Sequence, residues 1–257
     1  MAVPGVAIII PARYASTRLP AKPLIKLEGK PMIQHVYERA LRSRLAGKVV
    51  VATDDRRIAD AVRSFGGEVV ITPEGARSGS DRIAMVAKEM PGTDIVVNVQ
   101  GDEPLIAPRM IDEAAELLLH NPEVRVGTLI RKIENPDDVS NPAVVKVVVD
   151  SAGFAIYFSR SPIPCYREGA ESGRANRRTY YKHIGLYAFR RDFLMEFTSW
   201  PPSKLEEIEQ LEQLRIIEKG IRIKTRITEY ESIPVDTAED VDRVRALLRM
   251  QSSDHAT

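Results

Sequence analysis

The chain has 257 residues, enough for one large α/β domain or two small ones. Its 37 basic and 36 acidic side chains nearly cancel, so no global field favours nucleic acid or a membrane surface. A single cysteine, Cys165, excludes an intramolecular disulfide and a cysteine-based zinc cluster, and no apolar run approaches the ~20 residues that span a bilayer. No basic region precedes the first apolar run. A secretory signal is therefore not expected, and the cytoplasm is the expected compartment.

The first element is a buried strand at Val6–Ile10, rich in β-branched residues and expected to end at Pro11. A polar, basic loop follows, with Arg13, Ser16, Thr17, Arg18 and Lys22. Ligands of open α/β sheets bind just beyond the carboxyl ends of such strands. Neither GxxxxGK[ST] nor GxGxxG follows the strand, so Arg and Lys side chains must supply much of the charge that cradles a phosphate. The competing reading is a solvated basic turn.

Pro31 opens an expected helix through MIQHVYERALRSRLAG, stopped by Gly47. Lys48–Ala52 reads as a second buried strand ending in Thr53-Asp54-Asp55, which suits a helix N-cap for Arg56–Phe65. After Gly66-Gly67 comes a strand at Glu68–Thr72, and Ser78-Gly79-Ser80-Asp81-Arg82 opens another helix, a natural place for anion contacts. This alternation predicts a parallel sheet with helices on its faces. The strand in DIVVNVQGDEP then delivers Gln100, Gly101 and Asp102 to its carboxyl end. A carboxylate there suits Mg²⁺, which prefers oxygen ligands shared with substrate phosphates; the alternative is a turn with Asp as a local cap.

A helix at Pro108–His120 precedes strands at Val124–Ile130 and Ala143–Val149, and Phe154–Ser159 leads into SRSPIP. The loop Tyr166–Tyr181 carries Arg174, Arg177 and Arg178, and its length suits a lid, an interface arm or disorder. Nucleic acid is not an expected partner, because aromatic interleaving and overall basicity are missing. HIGLYAFR (183–190) reads as a strand, where a lone histidine suits a structural role. Pro202–Gly220 reads as one charged amphipathic helix, with Leu205, Ile208, Leu211 and Leu214 on its apolar face. The last strand, Ile221–Thr228, leads to Val235-Asp236-Thr237, and a closing helix runs from about Ala238 to Arg249 with Thr237 as N-cap and Asp240 as its N3 acid.

Six stretches in this order, beginning with PARYASTRLPAKPL and including NVQGDEP, SRSPIP, HIGLYAFR, EQLEQLR and VDTAED, together resemble the 3-deoxy-D-manno-octulosonate (KDO) cytidylyltransferases. Departures include Ala21 where the family usually has Gly, and Ala238 where it has Pro. The resemblance implies a three-layer α/β nucleotidyltransferase fold with a mostly parallel, mixed sheet. It implies a single domain over 1–257, in which about 130–190 forms a sugar-side and dimerisation extension of a homodimer. The substrates implied are CTP and KDO, joined with Mg²⁺ as cofactor to give CMP-KDO and pyrophosphate for lipopolysaccharide synthesis.

By the same resemblance, Pro11, Ala12, Arg13, Ser16, Thr17, Lys22, Thr53, Ser80, Arg82, Gln100, Gly101 and Asp102 bind the nucleotide. Arg160, His183, Tyr187, Glu212 and Gln213 face the sugar, and Asp102 and Asp236 hold the metal. Lys22 and Arg13 join both aspartates as the catalytic set. Two other readings are a cytidylyltransferase for another sugar acid (the 8-amino analogue of KDO, or sialic acid) and a catalytically silent nucleotide-binding regulator.

Overall fold

The structure is a computed structural model that describes residues 4–15, 19–166 and 179–254. Ser16, Thr17 and Arg18, and most of the arginine-rich loop, lie outside the described residues.

The first apolar run forms β1 (Val6–Ala12), buried at every position because neighbours cover both of its faces. Pro11 does not end it. The Ile9 carbonyl accepts from Val99 N–H on the β6 side, where the ladder stops at Asn98. Pro11, two residues on, faces that same side beyond the last rung, so its missing N–H breaks no ladder bond.

A short hairpin of β2 (Lys26–Leu27) and β3 (Lys30–Pro31) leads into α1 (Met32–Ala40). That helix is shorter than its periodicity suggests. Asp112 Oδ1 accepts from Ser43 Oγ at 2.6 Å and from the N–H groups of Arg44 and Leu45, which draws the chain out of helical geometry. Then follow β4 (Lys48–Thr53), α2 (Arg56–Ser64), β5 (Val69–Ile71), α3 (Gly79–Lys88), β6 (Ile95–Asn98) and α4 (Pro108–Leu119). Asp55 caps α2 and Ser78 caps α3, each accepting a first-turn N–H.

The second half continues through β7 (Val126–Lys132), α5 (Asp137–Ser140), β8 (Lys146–Val149), β9 (Ala155–Ser159) and β10 (Tyr181–Arg190). It ends with α6 (Arg191–Ser199), α7 (Lys204–Glu209), α8 (Leu214–Glu218), β11 (Lys224–Ile227) and α9 (Ala238–Asp254). Sequence alone does not delimit α6, which abuts β10 with no turn residue between them. The expected single helix over 202–220 is two. Gln210 turns left-handed (φ 53°) between α7 and α8, and Arg160 holds the break by donating to the carbonyls of Glu209 (2.8 Å) and Gln210 (3.3 Å).

The sheet order is β11-β7-β10-β6-β1-β4-β5, and β10 alone runs against the other strands of that path. The carboxyl half of β10 pairs with β6, while its amino end pairs with β8. The β8–β9 hairpin therefore stands beyond the carboxyl end of β6 and walls one side of the rim. One core packs α1, α2 and α4 on one face of the sheet, and a second packs α3, α6 and α8 on the other. A third, smaller core seats α9, through Val241, Val244 and Leu248, on Leu27, Met32 and Leu105. The architecture is the expected three-layer α/β fold with a mixed, mostly parallel sheet. Among the described residues no helix is long and apolar enough to cross a membrane.

Candidate active site

Four segments meet at the carboxyl rim: the loop after β1, the start of α3, the turn after β6 and the connector from β11 to α9. They enclose a cavity of about 350 Å³ whose lining includes Pro11, Ala12, Arg13, Lys22, Gln100, Gly101, Asp102 and Asp236. At its floor Lys22 Nζ donates to Asp102 Oδ2 at 2.8 Å and to Asp236 Oδ1 at 2.9 Å. Burial works against the Lys22 charge, but Asp102 and then Asp236 more than compensate, and the ammonium is held above its ordinary pKa.

The two carboxylates are gathered by more than that cation. Val235 N–H donates to the Asp102 carbonyl at 2.9 Å, and Ser232 Oγ donates to Glu103 Oε2 one residue further on. Glu103 is buried. Burial, opposed by the Ser232 bond and reinforced by Asp102, pushes its carboxyl up to about 7. Glu231 pairs with Arg131 and Lys182, and Asp240 Oδ2 accepts the N–H groups of Asp236 and Thr237. The connector is thus fastened on both sides of Asp236. The capping of α9 by Thr237 and Asp240 matches the sequence pattern, and the Asp236 side chain is turned to Lys22 instead. Glu103 and Ser232 escape sequence reasoning, because an acid in a turn and a serine in a connector carry no periodic signal.

Gly101 has a steric reason to be glycine: a Cβ there would sit 2.9 Å from the Pro11 carbonyl oxygen. Gln100 lines the cavity, and its Nε2 reaches the Gly185 carbonyl at 3.5 Å, at an irregularity in β10 between Ile184 and Tyr187. Arg13 Nη2 is buried with no hydrogen-bond partner among the described residues. Burial and then Arg82 lower its pKa, against Asp54, Asp81 and Glu212, yet a guanidinium keeps its charge. A buried, unspent N–H donor beside the rim is what an incoming anion would satisfy.

The other expected nucleotide residues sit behind this lining. Thr53 is buried and its Oγ1 accepts from Asp55 N–H. Arg82 is fully buried, held by Thr72 Oγ1 (2.5 Å) and Asp54 Oδ2 (2.6 Å). Ser80 Oγ donates to Glu212 Oε2 at 2.5 Å.

The expected sugar residues divide in two. His183 packs against Phe158 and Tyr187, with ring centroids 5.1 and 5.3 Å away. Its Nε2 is closed off without a partner, and burial pushes the imidazole pKa down to about 3, so the ring stays neutral. Tyr187 Oη lies near Thr128 Oγ1 but outside hydrogen-bond geometry, and that hydroxyl's proton faces the Ile184 and Leu186 carbonyls. Burial, with the charge of Glu212, raises the phenol well above its ordinary pKa. Glu212 Oε1, 3.8 Å from Arg215 Nη2, and Gln213 Nε2 are also buried and have no hydrogen-bond partner among the described residues. Arg160 stands apart from this group. Its guanidinium donates to the backbone carbonyls of Glu209, Pro142 and Gln210, so it clamps the turn that precedes Glu212 and Gln213.

Ala21 adopts φ 56° and ψ 27°, a left-handed conformation disfavoured for any residue with a Cβ. It immediately precedes Lys22 and opens the 3-10 turn Lys22–Leu24. Ala21→Gly should raise stability by about 1 kcal/mol, read as an increase in Tm. An unchanged or lower Tm would mean that entropy lost from the more flexible unfolded chain cancels the relieved strain.

The donor set suits a divalent ion. Two carboxylates converge on one cation, and Mg²⁺ usually takes one or two carboxylates and completes its shell with substrate phosphates and water. Among the described residues, no group of three or more His, Cys, Asp or Glu side chains gathers to cage an ion alone.

Comparison with known proteins agrees with this geometry. The cytidylyltransferase family model matches residues 7–224. A 3-deoxy-manno-octulosonate cytidylyltransferase of Geobacter sulfurreducens is 54% identical over 95% of this chain and 100% of its own length. A protein of the same name from Geobacter metallireducens is 51% identical over 93% of this chain and 96% of that one. The solved structure of a CMP:2-keto-3-deoxy-manno-octonic acid synthetase complexed with CTP superposes with a TM-score of 0.89 at 44% identity, covering 96% of this chain and 99% of that one. With β1 and its basic loop, the Gln100–Asp102 turn and the Asp236 connector all inside so extended a match, the chain belongs to the cytidylyltransferase family, among its 3-deoxy-manno-octulosonate members.

Proposed function

We propose that the chain transfers CMP from CTP to KDO, releasing pyrophosphate. The observation that carries this is the Lys22 ammonium shared between Asp102 and Asp236, on the floor of a cavity walled by the β1 loop and the Gln100–Gly101 turn. The anomeric hydroxyl of KDO attacks the α-phosphorus of CTP. A new P–O bond forms, the bond to the β-phosphate oxygen breaks, and the hydroxyl proton is lost.

Such a reaction needs mainly positioning and charge neutralisation. Arg13 and Lys22 supply fixed positive charge to the triphosphate, and Gly101 lets it approach the backbone. Asp102 and Asp236 are the residues that would hold Mg²⁺, which when bound neutralises phosphate charge and makes the sugar hydroxyl more acidic. His183, Tyr187, Glu212 and Gln213 face the sugar, and Arg160 fixes the turn leading to the last two. Thr53, Ser80 and Arg82 serve the nucleotide from behind, by holding the rim on which it rests.

The reading extends to one domain over 1–257 acting in the cytoplasm, where CTP is made, with CMP-KDO destined for lipopolysaccharide. It also extends to a homodimer formed through the 130–190 region. In support, among the described residues β9 pairs with β8 alone and exposes Ile156 on its open edge.

Pyrophosphate release tests the assignment. CTP should be used with far higher kcat/KM than ATP or GTP, and KDO in preference to its 8-amino analogue and to sialic acid. Comparable efficiency with a purine triphosphate would overturn the nucleotide, and preference for another sugar acid would overturn the acceptor.

A further inference from the structure

The sequence resemblance assigns no role to Asn98, yet the structure singles it out. It is the one polar residue inside β6, whose other members are Ile95, Val96 and Val97. Only 3% of its surface is exposed, and its Oδ1 has no hydrogen-bond partner among the described residues. A buried acceptor in that condition costs free energy in the empty protein and calls for a physical reason.

Its neighbours supply one. Ile95 and Val97 point into the core under α4, so Asn98 points to the opposite face, with Val96 and Tyr187. Tyr187 is its cross-strand partner on β10, and the Tyr187 ring packs on His183. Glu212 is tied to Ser80 at the start of α3, and its charge helps raise the Tyr187 phenol. Among the described residues, four groups of this assembly have no hydrogen-bond partner: Asn98 Oδ1, His183 Nε2, Tyr187 Oη and Glu212 Oε1, the last with the Arg215 guanidinium 3.8 Å away. Several unsatisfied polar groups in one buried place are individually unfavourable, and a polar ligand that bonded to them all would relieve the cost together.

We infer that Asn98 is a sugar-binding residue whose Oδ1 accepts a hydrogen bond from a hydroxyl of the acceptor, an inference that rests on the reading of the acceptor as KDO. The chemistry also orients the sugar. Asn98 Oδ1 and the Glu212 carboxylate are both acceptors, so they match hydroxyl groups and repel a carboxylate. The hydroxyl-rich side of the sugar faces β6, and its carboxylate is turned away.

Asn98→Leu, similar in size, and Asn98→Ala, smaller, test this through opposite effects on stability and affinity. Removing an unsatisfied buried acceptor should leave the ligand-free Tm equal to or above that of wild type. The KM for KDO should rise about tenfold, while the KM for CTP changes less than twofold. KDO added without CTP should raise the Tm of wild type and raise that of either variant much less. A lowered ligand-free Tm with an unchanged KM for KDO in both variants would make Asn98 a structural residue and overturn its role alone. Absence of KDO turnover and of any KDO-dependent Tm shift in wild type would overturn the acceptor reading and the inference with it.

Discussion

Asp236→Asn should lower kcat by about 10²–10⁴-fold with little change in Tm. The substitution keeps the size of the side chain and one acceptor oxygen but removes a charge from the pair that Lys22 bridges. If the two carboxylates hold Mg²⁺ against the triphosphate, a single remaining charge holds it weakly, and phosphate charge growing towards the transition state goes unopposed. The competing role for Asp236 is to cap α9, where Asn would serve nearly as well. The geometry speaks against that role. Thr237 and Asp240 cap the helix, and the N–H that Asp236 gives to Asp240 is left intact by the substitution. Measuring kcat against Mg²⁺ concentration, with Tm alongside, decides between them. Near-normal turnover with an unchanged Mg²⁺ requirement would remove Asp236 from the chemistry.

Lys22→Ala should reduce kcat at least ~10²-fold, equivalent to roughly 3 kcal/mol of transition-state stabilisation. Its second effect follows from the pairing distances. Without the ammonium, Asp102 and Asp236 lose the cation they share, and the repulsion between their like charges is less opposed. The variant should therefore melt below wild type in chelator and gain more than wild type when Mg²⁺ is restored. An unchanged kcat with only a raised KM for CTP would show that Lys22 binds ground state and transition state equally. A Tm insensitive to Mg²⁺ would place the ion elsewhere.

Much of this site is legible in the sequence where local physics decides the outcome. A continuous β-branched run covered on both faces gives β1, and a loop of fixed cations after it gives the candidate anion site with Arg13 and Lys22. Gln100-Gly101-Asp102 is legible as an acid at the carboxyl end of a buried strand, although the steric reason for its glycine, the Pro11 carbonyl, is not. What is not legible is decided by distant partners. EEIEQLEQLR satisfies one helical period, yet Arg160 breaks the helix at Gln210 from 50 residues away. Asp112 ends α1 in the same manner, from 69 residues away at Ser43. Arg160 itself suits a carboxylate by chemistry, but backbone carbonyls claim its donors. Asn98 carries a faint signal, a single amide in an apolar strand, whose meaning depends on Tyr187 lying opposite it on β10.

The bond from Lys22 to Asp236 joins residues 214 positions apart, and the segment carrying Asp236 is seated by α9 on its own small core. While a ribosome is making this chain, β1 and its loop emerge long before the second carboxylate. A nascent chain can assemble most of the sheet and still lack half of its acidic pair. On the proposed chemistry, turnover would report synthesis through Asp236 and docking of α9, and a chain stalled or clipped before Asp236 would keep the β1 loop but lack the second carboxylate.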